Sequence, residues 1–408
     1  MMIPRIFYLI MLGLVSALII IGFLAPRFVV IILLILFIEV LWRIVADPAY
    51  RADSRRFIGI SVLVFLAWAG VTAGWSLDPE NSLDRLGKLA LLVLLGGGCL
   101  TAASFAPLPD RAARRTALAL GASVVAGLLL VLGQRATDGQ LFVFLGAVDP
   151  HPIPDYLLRA TNKGATVLAV VVLPTAILSA RVGGLGAAWA VFLAGLAATA
   201  LSGSTAALAA MVAGAFATAL LHFGGRLARR LIVAGILVGI LLVPPLLATV
   251  PAPFGAVRDA VTQRLDLPWS LVHRTYIHDF TLARIAERPI LGWGLDAVSQ
   301  LPGGQDTVPG HPDAPYLPRH AHNLVLQVWV ELGAIGALFL AWFSWSVFRG
   351  IERRFDGALR DAMTGAGLAF VVVSTLSYAA YASWWIATGY LLAAFMLRLA
   401  PRPIRDQA

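Results

Sequence analysis

His322 and Asn323 stand at the mouth of an apolar helix, in the run Arg319-His320-Ala321-His322-Asn323-Leu324. Imidazole changes charge near neutral pH, so such a residue can take a proton from a hydroxyl. Ionisable groups at a membrane boundary are costly to desolvate and usually serve a site. The plainer reading is that these are interfacial polar residues capping a helix. Before them, one polar stretch carries Arg258, Arg264, Arg274, Arg284 and Arg288, with His273, His278 and His311. A guanidinium suits phosphate oxygens in a forked geometry, so this cluster is compatible with a lipid-linked phosphate or pyrophosphate. Most of these arginines are expected instead to touch lipid headgroups or to pair with Asp259, Asp266, Asp279 and Glu287.

The elements that position these groups follow from composition. The 408 residues are 59% hydrophobic and 13% charged, with a mean hydropathy of +0.84. Soluble domains have roughly 25% charged residues, so the chain is an integral membrane protein. The charge of +9 and pI near 10.3 do not indicate nucleic acid, because the basic residues fall in short loops between apolar runs. Cys99 is the single cysteine, which excludes an intrachain disulfide and a cysteine metal cluster. Residues 1–24 read as an uncleaved first span rather than a signal peptide.

Spans of about 20 residues are predicted at 6–24, 28–45, 57–75, 86–105, 115–133, 164–180, 185–201, 203–222, 231–249, 323–348, 358–377 and 380–399. The boundaries at 201–203 and 378–380 have almost no polar residue to mark them. The expected fold is therefore all-α and polytopic, with about 12 transmembrane helices. Residues 1–249 would hold the first nine, 250–322 a long outer loop, and 323–408 the last three with the C-terminus. Arginine-rich connectors (Arg51, Arg55 and Arg56; Arg111, Arg114 and Arg115; Arg226, Arg229 and Arg230; Arg349, Arg353 and Arg354; Arg402 and Arg405) all fall on one side, which places both termini in the cytoplasm. The opposite side carries Asp78, Glu80 and Asp84 and two long segments, 134–163 and 250–322.

The shorter segment contains Arg159, Asn162 and Lys163 just before a span. In the longer one, Val272 to Glu287 reads as an amphipathic helix with Val272, Tyr276, Phe280 and Ala283 on a shared face. Arg274 and His278, four apart, share a side. Arg288-Pro289 ends that helix, and Gly292 and Gly294 turn the chain around Trp293. A run rich in proline and glycine, from Pro302 to Pro318, leads back to the histidines as an irregular segment. No close Asp-x-Asp pair stands in an outer loop, and neither a His-Glu-x-x-His zinc helix, a Gly-x-Ser-x-Gly elbow nor a phosphate loop occurs. Ser202-Gly203-Ser204-Thr205 reads as close helix packing in preference to a substrate contact. Glu39 and Arg43 read as a structural i, i+4 pair.

Three features together resemble the O-antigen ligase and O-antigen polymerase superfamily of bacterial membrane glycosyltransferases. His322-Asn323-x-x-Leu326, continuing to Glu331-Leu332-Gly333 and Gly336, is similar to its His-Asn motif leading into an acidic-Gly-x-x-Gly helix. Arg274 through Arg288-Pro289-Ile290-Leu291-Gly292-Trp293-Gly294 is similar to its arginine-led helix ending in Pro-x-x-Gly-x-Gly. The third feature is the layout, with a long outer loop near residue 250 and Trp75-Ser76 closing the third span. The resemblance implies a GT-C-like fold in the bacterial inner membrane and a site facing the periplasm. It implies a glycosyltransferase without metal or other cofactor, taking its glycan from undecaprenyl diphosphate. His322 would be the general base, His320 an auxiliary, Arg274 a diphosphate-binding residue, and Asn323 and Glu331 supporting residues.

One departure matters. Many members carry an arginine in the segment matching Leu201–Thr205, and here Thr205 stands at that place. A second diphosphate-binding cation must then come from elsewhere; Arg159 and Lys163 are the expected sources, with Arg319 a further contact. A ligase would pass the glycan to a sugar hydroxyl of the lipid A core, whereas a polymerase would extend a lipid-linked glycan. The short outer loops and the His-x-His-Asn arrangement favour the ligase. A flippase or other transporter, from a different class, predicts charges deep in several spans and two related halves; here the polar residues gather on one side.

Overall fold

A computed structural model describes residues 5–46, 60–105, 108–262, 264 and 268–400. Arg51, Arg55, Arg56, Asp266, Arg402 and Arg405, used above for orientation or pairing, lie outside the described residues. The helices are α1 Arg5–Leu24, α2 Val29–Ala46, α3 Ile60–Thr72, α4 Pro79–Phe105, α5 Asp110–Ala136, α6 Gln140–Phe144, α7 Pro154–Leu158, α8 Asn162–Leu201, α9 Thr205–Leu241, α10 Val243–Ala248, α11 Gly255–Thr262, α12 Trp269–Glu287, α13 Leu324–Arg354, α14 Gly357–Leu376 and α15 Ser383–Leu399. The fold is that of an all-α, multi-pass membrane protein.

Among the described residues, eight helical stretches are long and apolar enough to cross a membrane, fewer than the twelve spans expected. The difference has a physical cause. A straight helix of the 40 residues of α8 would be about 60 Å long, twice the roughly 30 Å hydrocarbon core. Gly183 and Gly184 leave helical geometry, Gly184 at φ +71°. The chain then doubles back, because the missing side chain of Gly195 is filled by Val172 of the same helix. In α9 the break is Gly225, at φ +55°. Before it, Gly214 packs on Gly365 and Ala369 of α14; after it, Ile240 returns to accept a hydrogen bond from Trp329 near the start of α13. Glycine adopts such backbone angles without the cost a Cβ imposes. Both bends fall where the sequence places a span boundary. The segments Val62–Trp75 and Ser383–Leu399 are apolar but short.

Small residues let the helices approach closely, as packing in lipid requires. Gly127 of α5 receives Ile19 and Phe23 of α1, and Gly98 of α4 receives Phe37 of α2. One end of the bundle is held by buried ion networks. Glu39 accepts from Arg43 at 2.9 Å and from Arg398 at 2.7 Å, all three being 5% exposed or less. Arg229 lies between Glu352 and Asp361, at 3.4 and 3.3 Å. The Glu39–Arg43 pair is thus structural, as expected, with Arg398 as its third member.

The opposite end carries the long loop. The expected amphipathic helix is present as α12; its buried residues are Ile277, Thr281, Leu282 and Ile285, the shared face of Val272, Tyr276 and Phe280 is half-buried and ends at the exposed Ala283, and Trp293 donates to the Arg284 carbonyl at 2.9 Å. One expectation is corrected. The segment from Pro302 to Pro318 is more ordered than its composition suggests. Gly310, at φ +79°, turns Thr307–Val308 (β1) back on His311–Pro315 (β2) as a short antiparallel pair.

Candidate functional site

The two motif segments meet at a break in α13. Gly333 interrupts the helix at φ +64°, which frees the carbonyls of the preceding residues. Trp293 donates its backbone N–H to Val330 at 2.9 Å, Gly294 donates to Glu331 at 2.8 Å, and Ala334 donates to Pro289 at 2.9 Å. A Cβ on Gly292 would meet the Glu331 carbonyl, one on Gly333 the Ile290 carbonyl, and one on Gly294 the backbone of Ser76. Ser76 in turn hydrogen-bonds Ser82 at 2.8 Å, and Thr72 accepts from the Leu295 N–H at 3.1 Å. The three features that carry the family resemblance are thus one packed unit.

Glu331 supports that unit from within. It is fully buried and accepts from the backbone of Asp296 at 3.1 Å and of Val298 at 3.4 Å, and from the Gln327 amide at 3.1 Å. Gln327 accepts from the Ala380 N–H at 2.8 Å. Asn323 caps α13, accepting from Val325 and Leu326 at 2.9 and 3.1 Å, a standard way to satisfy the first turn. Asn323 thereby holds the turn that follows His322, and Glu331 holds the backbone of Asp296 and Val298.

His322 sits at φ +52°, a left-handed conformation that is uncommon for a residue with a side chain and that needs outside support. The support is His320, whose Nδ1 accepts the His322 backbone N–H at 3.1 Å while the two rings lie 4.0 Å apart. The His322 Nδ1 is 3.0 Å from the Ser377 carbonyl at the end of α14. A carbonyl only accepts, so Nδ1 carries the proton and Nε2 presents its lone pair. Burial, and then the charge of Arg274, hold the His322 imidazole below the usual histidine range, the Ser377 contact opposing them.

Arg274 reaches the same helix end, its guanidinium donating to the Leu376 carbonyl. Base and cation, 48 positions apart in sequence, are therefore seated on two consecutive carbonyls. Burial lowers the Arg274 pKa from its ordinary value, although the group remains a cation. His278, one turn along α12, is pushed down to about 4 by burial, Arg274 and His322. Its Nε2 has no hydrogen-bond partner among the described residues. His320 is pushed down to about 3 by burial, His322, Arg274 and Arg319. All three imidazoles are neutral at pH 7.

The sequence alone does not single out Tyr378. Its hydroxyl meets Thr166 of α8 at 3.0 Å, and Arg274 lies within its electrostatic reach. Burial lifts this phenol to about 12, so it stays protonated. Thr166 is one turn beyond Lys163 and donates to the Lys163 carbonyl at 2.7 Å. Lys163 thus stands one turn before the residue that meets Tyr378, half-buried at the start of α8. Arg159 is exposed and joins none of these contacts, and Arg319 is exposed beside His320. The segment around Thr205 is structural: Ser204 caps α9, the Ser202 carbonyl accepts from Thr161 at 3.0 Å, and the Leu201 carbonyl accepts from Arg135 at 2.7 Å.

Most remaining loop cations are engaged. Arg258 pairs with Asp279 at 3.3 Å and lies 3.8 Å over the Tyr276 ring. Arg284 pairs with Glu287, and Arg288 lies 4.0 Å over Trp293. This matches the expectation that most of these arginines are structural.

Residues 190–341, from the second limb of α8 through the break in α13, match the family model described as O-antigen ligase. The chain is 23% identical over 351 residues to a protein of Rickettsia conorii described as a "putative polysaccharide ligase", covering 85% of this chain and 81% of that one. A Rickettsia felis protein of the same description is 23% identical over 362 residues, covering 87% and 85%. One from Rickettsia prowazekii is 30% identical over 145 residues, or 34% and 35% of the two chains. The middle of the chain is thus similar to the O-antigen ligase family, and most of its length is similar to proteins described as polysaccharide ligases, in accord with the resemblance carried by the motifs.

Proposed function

We propose that this protein is an O-antigen ligase of the bacterial inner membrane, transferring a glycan from undecaprenyl diphosphate to a sugar hydroxyl of the lipid A core at the periplasmic face. The observation that carries the reading is the seating of His322 and Arg274 on the adjacent carbonyls of Ser377 and Leu376. It sets a neutral imidazole, its Nε2 lone pair presented, beside a cation that no carboxylate among the described residues neutralises.

In this mechanism the acceptor hydroxyl gives its proton to His322 Nε2 as its oxygen bonds to the anomeric carbon. The bond from that carbon to the phosphate oxygen breaks, and the leaving undecaprenyl diphosphate keeps the electron pair. Direct displacement inverts the anomeric centre. Arg274 stabilises the charge gathering on the departing diphosphate, as preorganised donors do, and no metal is assigned to that task. His320 holds the backbone of His322 and is a positioning residue.

The test uses purified full-length protein in liposomes with lipid-linked glycan and lipid A core. The expected product is glycan joined to the core, in chelator as well as in its absence. Lengthening of the lipid-linked glycan with the core left unmodified would make the protein a polymerase. Movement of the donor across the bilayer with no new glycosidic bond would make it a flippase.

A further inference from the structure

The link between α14 and α15 begins at the two carbonyls that seat the reacting groups. Leu376 and Ser377 stand at the end of α14, where backbone carbonyls have no partner within the helix, and they accept from Arg274 and His322. The link is tied to α8 and to α13. The Tyr378 hydroxyl meets Thr166 of α8 at 3.0 Å, and the Ala380 N–H donates to Gln327 Oε1 of α13 at 2.8 Å. Gln327 is buried and stands on the helix that His322 leads into; its own N–H donates to the Asn323 carbonyl at 2.9 Å. The same two segments are therefore joined at two points. One is the reactive ring of His322, and the other is an amide that takes no part in the chemistry.

The polarity of that amide is fixed. A backbone N–H only donates, so Gln327 turns its oxygen to Ala380 and its Nε2 to Glu331 Oε1, 3.1 Å away. The carboxylate is fixed in turn by the backbone N–H groups of Asp296 and Val298. We infer that Gln327 is a positioning residue for glycan transfer: it fastens the α14–α15 link to the helix of His322, so that the Ser377 carbonyl holds the imidazole with its proton on Nδ1 and its lone pair on Nε2. The inference rests on the proposed function, because it needs His322 to be the base. Loss of the amide lets the link shift, and a displacement of about 1 Å at a reacting group can cost about 10²-fold in rate.

The test is steady-state transfer by the full-length protein in liposomes, read on whichever acceptor the parent uses, with thermal midpoints on the same preparations. Gln327→Leu removes both side-chain hydrogen bonds at similar bulk. It is expected to lower kcat about 10²-fold while the donor KM stays within about threefold. Gln327→Glu sets a second carboxylate against Glu331 and is expected to be similarly slow. Adding Glu331→Gln to it restores the contact with donor and acceptor exchanged. The carboxylate at 327 still accepts from Ala380 and now accepts from the amide at 331, whose oxygen accepts from Asp296. This double variant is expected to recover kcat to within about tenfold of the parent, as coupled neighbours do. A merely structural amide would lower the midpoint and leave kcat per folded molecule unaltered, and that result overturns the inference. So does a double variant as slow as Gln327→Glu alone, which decides the matter even where Gln327→Leu does not fold. Parental kcat in Gln327→Leu beside a slow His322→Ala overturns the inference alone. A parent that transfers glycan neither to lipid A core nor to lipid-linked glycan overturns the proposed function and the inference together.

Discussion

The two ends of the helix bundle treat charge in opposite ways. At the end formed by Glu39, Arg43, Arg229, Glu352, Asp361 and Arg398, each of these cations lies against a carboxylate. At the end that carries Arg274 and Lys163, neither has a carboxylate partner among the described residues. Arg274 and Lys163 are half-buried, and an unpaired charge in such surroundings is costly. The difference teaches which charges belong to the fold and which are held in reserve for a ligand. Paired charges staple helices; an unpaired half-buried cation is available to an anion.

Variants at each end sharpen this contrast. The largest expected effect on folding comes from Glu39→Ala, which strands two buried guanidinium groups. Removing one partner of a buried network costs about 3–5 kcal/mol, so the melting midpoint in detergent should fall by many degrees. The KM for the donor in whatever protein remains folded should not change. Arg274→Gln should do the reverse, lowering kcat by about 10²–10³-fold, or about 2.7–4 kcal/mol, with the midpoint nearly constant. Arg274→Lys should recover little of this, because a lysine ammonium cannot reproduce the guanidinium fork.

Smaller effects follow. Asn323→Ala removes the cap of α13 and should cost about 1 kcal/mol of stability; because His322 precedes that helix, kcat should fall modestly with it. The pH dependence is the mildest probe. His322 is held below the ordinary histidine value, so transfer should be flat through neutral pH and fall only as the imidazole takes up a proton on the acid side. His278 and His320, at about 4 and about 3, act on folding in the same direction. Their unfolded forms protonate near 6.5, so the unfolded state binds more protons below that pH and stability declines as pH falls. A rate profile and a melting profile over pH 4–9, taken on the same preparation, check both signs.

Hydropathy made the helices legible, and the bends at Gly184 and Gly225 coincide with the span boundaries drawn from it. The break at Gly333 was hidden because Leu332, Ala334 and Ile335 continue the apolar run without interruption. The motif residues His322 and Arg274 were legible through family resemblance. Their meeting point was not, because it consists of two backbone carbonyls, Leu376 and Ser377, and carbonyls leave no trace in residue type. Tyr378 escaped notice since it lies where two spans adjoin with almost no polar residue between them.

The most direct measurement compares the parent with His322→Ala for glycan transfer to lipid A core and for thermal midpoint, in the same liposome preparation. General-base assistance is worth about 10²–10⁴-fold in rate. The account predicts a loss of that size, with the midpoint held within a few degrees and donor affinity retained. Transfer at the parental rate by a folded His322→Ala protein would contradict it and remove His322 from the role of base.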